Sequence, residues 1–105
     1  MAIMNAESDS MLKSIVSEGV VLVDYSAPFC PPCKTLLGVL DELDQEMNGR
    51  VSIVKVNCED LPASASEAGV LGTPTVIVYK DGQAMDKLVG LRPKSLYQAV
   101  VEKHL

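Results

Sequence analysis

The chain has 105 residues, 48% of them hydrophobic, enough to build one compact domain over residues 1–105 around its own core. Its 9 basic and 14 acidic residues give a formal charge of -5, which argues against nucleic acid as a partner because phosphate binding needs a basic face. The apolar stretch Val20 to Val23 is far too short to span a bilayer, and no basic segment followed by an apolar run opens the chain, so no membrane association and a cytoplasmic location are expected.

Strand and helix signals alternate along the chain, the pattern of an α/β domain whose sheet is covered on both faces. Met11, Leu12, Ile15 and Val16 recur at helical spacing and stop before Gly19, so residues 8 to 18 read as a first helix. Val20 to Tyr25 follows as a central strand. Leu36, Leu37, Leu40, Leu43 and Met47 form the apolar face of a long helix ending near Asn48-Gly49. Val51 to Asn57 is the next strand, and residues 60 to 68 a short helix closed by Gly69. Asp81-Gly82 joins Thr75–Tyr79 to Ala84–Val89 as a hairpin. Pro93 opens a last helix whose Leu96, Val100 and Leu105 are expected to face the sheet.

The chemistry concentrates where the central strand meets the long helix, at Phe29-Cys30-Pro31-Pro32-Cys33-Lys34. Two thiols spaced C-x-x-C at a helix start can close a small disulfide, and the first of them faces the positive end of the helix. A thiolate is stabilised there, and the thiolate is the nucleophile of thiol-disulfide exchange. Cys30 is thus the candidate attacking group, and Cys33, one turn further in, the more sheltered resolving group. Pro31 and Pro32 fit the first turn, where a missing N–H costs least. Their lack of N–H groups leaves the Cys33 amide as the expected local donor.

The residues around this pair make the chain, from about Asp9 to Leu105, resemble the thioredoxin family. The matching features are Val23-Asp24-Tyr25, Cys30-Pro31-Pro32-Cys33-Lys34, Lys55-Val56-Asn57, Gly72-Thr73-Pro74-Thr75, Lys80-Asp81-Gly82 and Val89-Gly90. The resemblance implies a central mixed sheet flanked on both faces by helices. It also implies that Asp24 is a buried carboxylate beneath the site with Lys55 beside it, and that Thr73-Pro74 is a cis peptide facing Cys30. Phe29, Pro31, Pro32, Gly72, Thr73, Pro74 and Gly90 are implied as the substrate-docking surface. Where the family usually carries flanking tryptophans and a Gly-Pro pair, this chain has Ser26, Phe29 and Pro31, and it has no Trp. Gly38 stands where the family often has a helix-bending proline.

The activity so implied is reduction of disulfides in protein substrates by a monomer, without a cofactor in the chain, and with regeneration by a thioredoxin reductase. Three other readings stay open at this point: a glutathione-linked, glutaredoxin-like enzyme, a binding module that does not need its thiols, and an exported protein that forms disulfides. A metal site is not expected, since 3 Cys and 1 His cannot readily supply four ligands. Cys58 reads as a small, half-buried apolar filler, and His104 as a solvated cap on the last helix.

Overall fold

A computed structural model describes residues 3–105. The elements run β1 (Ile3–Asn5), α1 (Asp9–Val16), β2 (Val20–Ser26), α2 (Pro31–Met47), β3 (Ser52–Asn57), α3 (Pro62–Glu67), β4 (Thr75–Lys80), β5 (Gln83–Val89) and α4 (Lys94–Lys103). The sheet has the order β1-β3-β2-β4-β5. β3 runs parallel to both β1 and β2, whereas β4 is antiparallel to β2 and to β5. This is the mixed sheet of the thioredoxin fold.

Val20 to Val23 reads as an unbroken apolar run because β2 sits mid-sheet and buries both of its faces. Toward one side, Leu22, Ile53, Val76 and Val78 pack against Leu36, Leu40, Leu43 and Met47 of α2 and Tyr97 and Val101 of α4. Toward the other, Val21, Val23, Tyr25, Val54, Val56 and Ile77 pack with Leu12 of α1 and Ala65 of α3. Each large side chain so buried contributes about 1.5–3 kcal/mol relative to exposure. Asp24 lies one residue after Val23 and therefore points to the α2 and α4 side, opposite to Val23 and Tyr25.

Local chemistry sets the ends of the elements. The Ser8 side chain caps α1 by accepting from the Met11 amide at 3.1 Å. Helix α2 runs unbroken through Gly38 and stops at Asn48 and Gly49, with φ of 51° and 84°. Gly19, with φ of 73°, exchanges two hydrogen bonds with the hairpin: its amide donates to Asp81 Oδ1 at 2.8 Å, and its carbonyl accepts from the Asp81 amide at 3.0 Å.

Several details differ from the sequence reading. Strand β1 lies ahead of the first expected element and forms by pairing Ile3, Met4 and Asn5 with Ile53, Val54 and Lys55. Helix α1 spans Asp9–Val16 and α3 Pro62–Glu67, each somewhat shorter than the stretches 8 to 18 and 60 to 68 that Gly19 and Gly69 are expected to close. Helix α4 is turned one position from expectation: Tyr97 and Val101 are buried, Val100 is half-buried, and Leu96 and Leu105 are exposed. The reason is the Tyr97 hydroxyl, which accepts from the Arg92 amide at 3.1 Å and donates to the Gly90 carbonyl at 3.3 Å. An aromatic ring with a satisfied polar tip goes inward ahead of Leu96. His104 is the C-cap of α4, as expected, but it is not solvated. It is half-buried, with Nε2 lying 2.6 Å from Asp86 Oδ2, while Lys103 holds the other carboxylate oxygen at 3.2 Å. Among the described residues, no helix is long and apolar enough to cross a membrane.

Candidate active site

Cys30 is the N-cap of α2 and is half-buried, while Cys33 is only 4% exposed. The two are joined as a disulfide with their Cα atoms 5.2 Å apart. Pro31 and Pro32 occupy the first turn of the helix and are exposed. The Cys33 amide donates to the Cys30 carbonyl at 3.0 Å, so it is engaged with backbone and is not the donor to sulfur that the sequence suggests. That donor is the Thr73 hydroxyl, 3.6 Å from Cys30 Sγ.

Thr73-Pro74 is a cis peptide held from both ends. The Thr75 hydroxyl donates to the Gly72 carbonyl at 2.7 Å, and the Gly90 amide donates to the Pro74 carbonyl at 2.8 Å. Gly90 has φ of 81°, a left-handed conformation open to glycine and costly for other residues. Gly90 is thereby tied to Pro74, and Thr73, next to it, reaches the Cys30 sulfur from 43 residues away.

On β2, Asp24 is completely buried, and among the described residues neither carboxylate oxygen has a hydrogen-bond partner. Loss of hydration raises its pKa to about 7, against a smaller pull downward from Lys55. Lys55 pairs with Asp24 across β2 and β3 and opens onto a cleft of about 350 Å³ lined by Asn5, Ala6, Glu7, Asn57 and Asp60. Cys58, a free thiol, packs half-buried against the α1 and α3 side of the core, and burial together with Asp24 raises its pKa. Among the described residues, no group of three or more His, Cys, Asp or Glu side chains could hold a metal ion.

Several large apolar side chains adjacent in sequence to the Cys30, Gly72-Thr73-Pro74 and Gly90 segments are exposed. Phe29 is 95% exposed, Leu71 is fully exposed, and Val89 and Leu91 are about half exposed. The sequence reading passed over Leu71 and Leu91. The available signal was a leucine lodged between Gly69-Val70 and Gly72-Thr73-Pro74, with no helix or strand to bury it.

Comparison with known proteins agrees with this geometry. The family model described as Thioredoxin matches residues 2–103. The chain belongs to the thioredoxin family. Thioredoxin from Bacillus subtilis (strain 168) is 45% identical over 105 residues, the whole of both chains. Thioredoxin from Staphylococcus aureus (strain Mu50) is 42% identical over 98 residues, 93% of this chain and 94% of that one. The crystal structure of Malassezia sympodialis thioredoxin superposes with a TM-score of 0.90 at 28% identity, covering 99% of this chain and 94% of its own. With its disulfide-bonded C-x-x-C pair, this thioredoxin-family chain is an oxidoreductase of dithiol-disulfide exchange that reduces disulfides in proteins.

Proposed function

We propose that residues 1–105 act as a single-domain, monomeric thioredoxin of the Cys-Pro-Pro-Cys type, in which Cys30 attacks and Cys33 resolves. The observation that carries this assignment is the contrast in access between the two sulfurs: Cys30 is half-buried at the helix start, and Cys33 is buried one turn in. The Cys30 thiolate attacks one sulfur of a substrate disulfide, whose S–S bond breaks as the Cys30-substrate bond forms. The departing substrate sulfur takes a proton from solvent. Cys33 then passes its proton through water to the Asp24 carboxylate and attacks Cys30 Sγ; the Cys30-substrate bond breaks, and the second substrate sulfur leaves as a thiolate that takes a proton from solvent. Two electrons have passed to the substrate, and the 30–33 disulfide remains.

A carboxyl with a pKa of about 7 suits this step, because near neutral pH it is ionised often enough to accept a proton and protonated often enough to return one. Lys55 tunes it. Phe29, Pro31, Pro32, Gly72, Thr73, Pro74 and Gly90 form the docking surface, to which we add Leu71 and Leu91. A shallow surface of backbone and apolar side chains engages an extended chain beside a disulfide without demanding one sequence. The partners are disulfide-containing proteins and a thioredoxin reductase that returns the pair to the dithiol. Such recycling is sustained in a reducing compartment, which supports a cytoplasmic location.

The decisive test is Cys33→Ser incubated with a disulfide-bonded protein substrate. Accumulation of a mixed disulfide at Cys30, with Cys30→Ser trapping none and losing all reduction, is the expected result. Trapping through Cys33 in the Cys30→Ser variant, or reductase activity persisting in the double variant, would overturn the assignment. Recycling of the oxidised protein by reduced glutathione alone would shift the reading to a glutaredoxin-like enzyme.

A further inference from the structure

The start of α2 is stripped of the donors that normally face an N-cap. Pro31 and Pro32 have no N–H, and the next two amides, of Cys33 and Lys34, both donate to the Cys30 carbonyl, at 3.0 and 3.2 Å. Backbone amides, the usual stabilisers of an anion at a helix N-terminus, are thus absent or occupied. Among the described residues one donor does lie on the sulfur: the Thr73 hydroxyl, 3.6 Å from Cys30 Sγ, a reach suited to the large radius of sulfur. Its backbone is held by the Thr75 hydroxyl on the Gly72 carbonyl and the Gly90 amide on the Pro74 carbonyl.

We propose that the Thr73 hydroxyl is a catalytic hydrogen-bond donor to the Cys30 thiolate, replacing the amides that Pro31 and Pro32 remove. The inference rests on the assignment of Cys30 as the nucleophile. In the oxidised state the contact is a weak one to a neutral sulfur. When the S–S bond is reduced and Cys30 carries the negative charge, the same hydroxyl donates to an anion, and such bonds are the stronger kind. The proton stays on the Thr73 oxygen throughout. Favouring the thiolate enlarges the reactive fraction of Cys30 at neutral pH and favours the reduced form of the pair.

Removal of the donor has a specific signature. In Thr73→Val, which keeps the shape, and in Thr73→Ala, the pH midpoint for alkylation of Cys30 in the reduced full-length protein rises by about one pH unit. Thr73→Ser, which differs from the alanine variant by the hydroxyl alone, stays at the wild-type midpoint. Above both midpoints, the 30–33 disulfide of the Val and Ala variants is about tenfold harder to reduce, or about 30 mV more negative for a two-electron couple. A hydroxyl that merely braced the loop would change thermal stability and leave the alkylation midpoint in place.

Iodoacetamide labelling read by peptide mass spectrometry separates the two levels of the argument. Cys30 labelled first, with midpoints in Val and Ala equal to wild type, overturns the role of Thr73 and leaves the nucleophile assignment standing. Cys33 or Cys58 labelled ahead of Cys30 in the wild-type protein overturns that assignment and the Thr73 proposal with it.

Discussion

Asp24 and Lys55 sit directly opposite each other on the parallel strands β2 and β3, with the carboxylate sealed in the core and the amine at the edge of a cleft. The burial raises the carboxyl from 3.8 to about 7, so the folded state holds a proton that the unfolded chain has already lost between those values. The contribution of Asp24 to stability is therefore full below about pH 4, falls as pH rises toward 7, and stays low above it. The ionised group costs on the order of 4 kcal/mol from that shift. Asp24→Asn removes this cost but still buries an unpaired amide, at about 1–3 kcal/mol. The expected outcome is a variant more stable than wild type by about 1–3 kcal/mol at pH 8, with no advantage at pH 4. Denaturant midpoints of the oxidised protein across this range check it, since the 30–33 thiols do not titrate there. A wild-type stability that is flat from pH 4 to 7 would mean that Asp24 is hydrated.

Lys55 acts in the opposite sense, holding the Asp24 carboxyl lower than burial alone would. Loss of the cation in Lys55→Gln should raise the Asp24 midpoint by on the order of one pH unit, since a charge pair near a protein surface is worth a few kcal/mol before screening. Carboxyl-carbon NMR titration reads this directly. In the mechanism, the resolving step should slow at pH 7 and recover at higher pH. An unmoved midpoint would reduce the pairing to a structural contact.

The legible parts of this fold were those written in local chemistry. Proline and glycine at Pro31, Gly49, Gly69, Gly82 and Pro93 mark the element boundaries, and the Cys30–Cys33 spacing at a helix start names the chemistry without tertiary information. What remained hidden depended on partners distant in sequence. Strand β1 is three residues long and is defined by β3, 50 positions away in register at Ile3 and Ile53. Helix α4 took its rotation from the Tyr97 hydroxyl reaching back to Gly90, and His104 its surroundings from Asp86 on β5. The Thr73 hydroxyl became a feature of the site only when the chain returned it to Cys30, 43 residues earlier.

Tyr97 ties the core to the site's rim, because its hydroxyl bonds the backbone on either side of Leu91. Tyr97→Phe keeps the ring and leaves the Gly90 carbonyl and Arg92 amide without that partner. A loss of about 1–2 kcal/mol is expected from the denaturant midpoint. Amide exchange should quicken between residues 89 and 92 while the centre of β2 is unaffected. An unchanged midpoint would indicate that water takes over both bonds.

Phe29 combines two costs that core residues avoid: its ring is 95% exposed, and its backbone lies at φ of 57°, a region that bulky residues rarely occupy. Retaining both is understandable if the ring is used for contact, since strain of this kind collects at functional positions. Phe29→Gly relieves the backbone and removes the ring, so the folded protein should lose no stability. Its KM for a disulfide-bonded protein should nonetheless rise about five- to thirtyfold, the worth of burying one large apolar side chain in part on docking. Leu71→Ser, at a fully exposed position, should act the same way on KM with stability within about 0.5 kcal/mol of wild type. Reduction of a small aromatic disulfide, which has no chain to lay across the surface, should be nearly unchanged in both. Equal losses toward the protein and the small disulfide would instead mean that these side chains act on Cys30 itself, and the docking role would be given up.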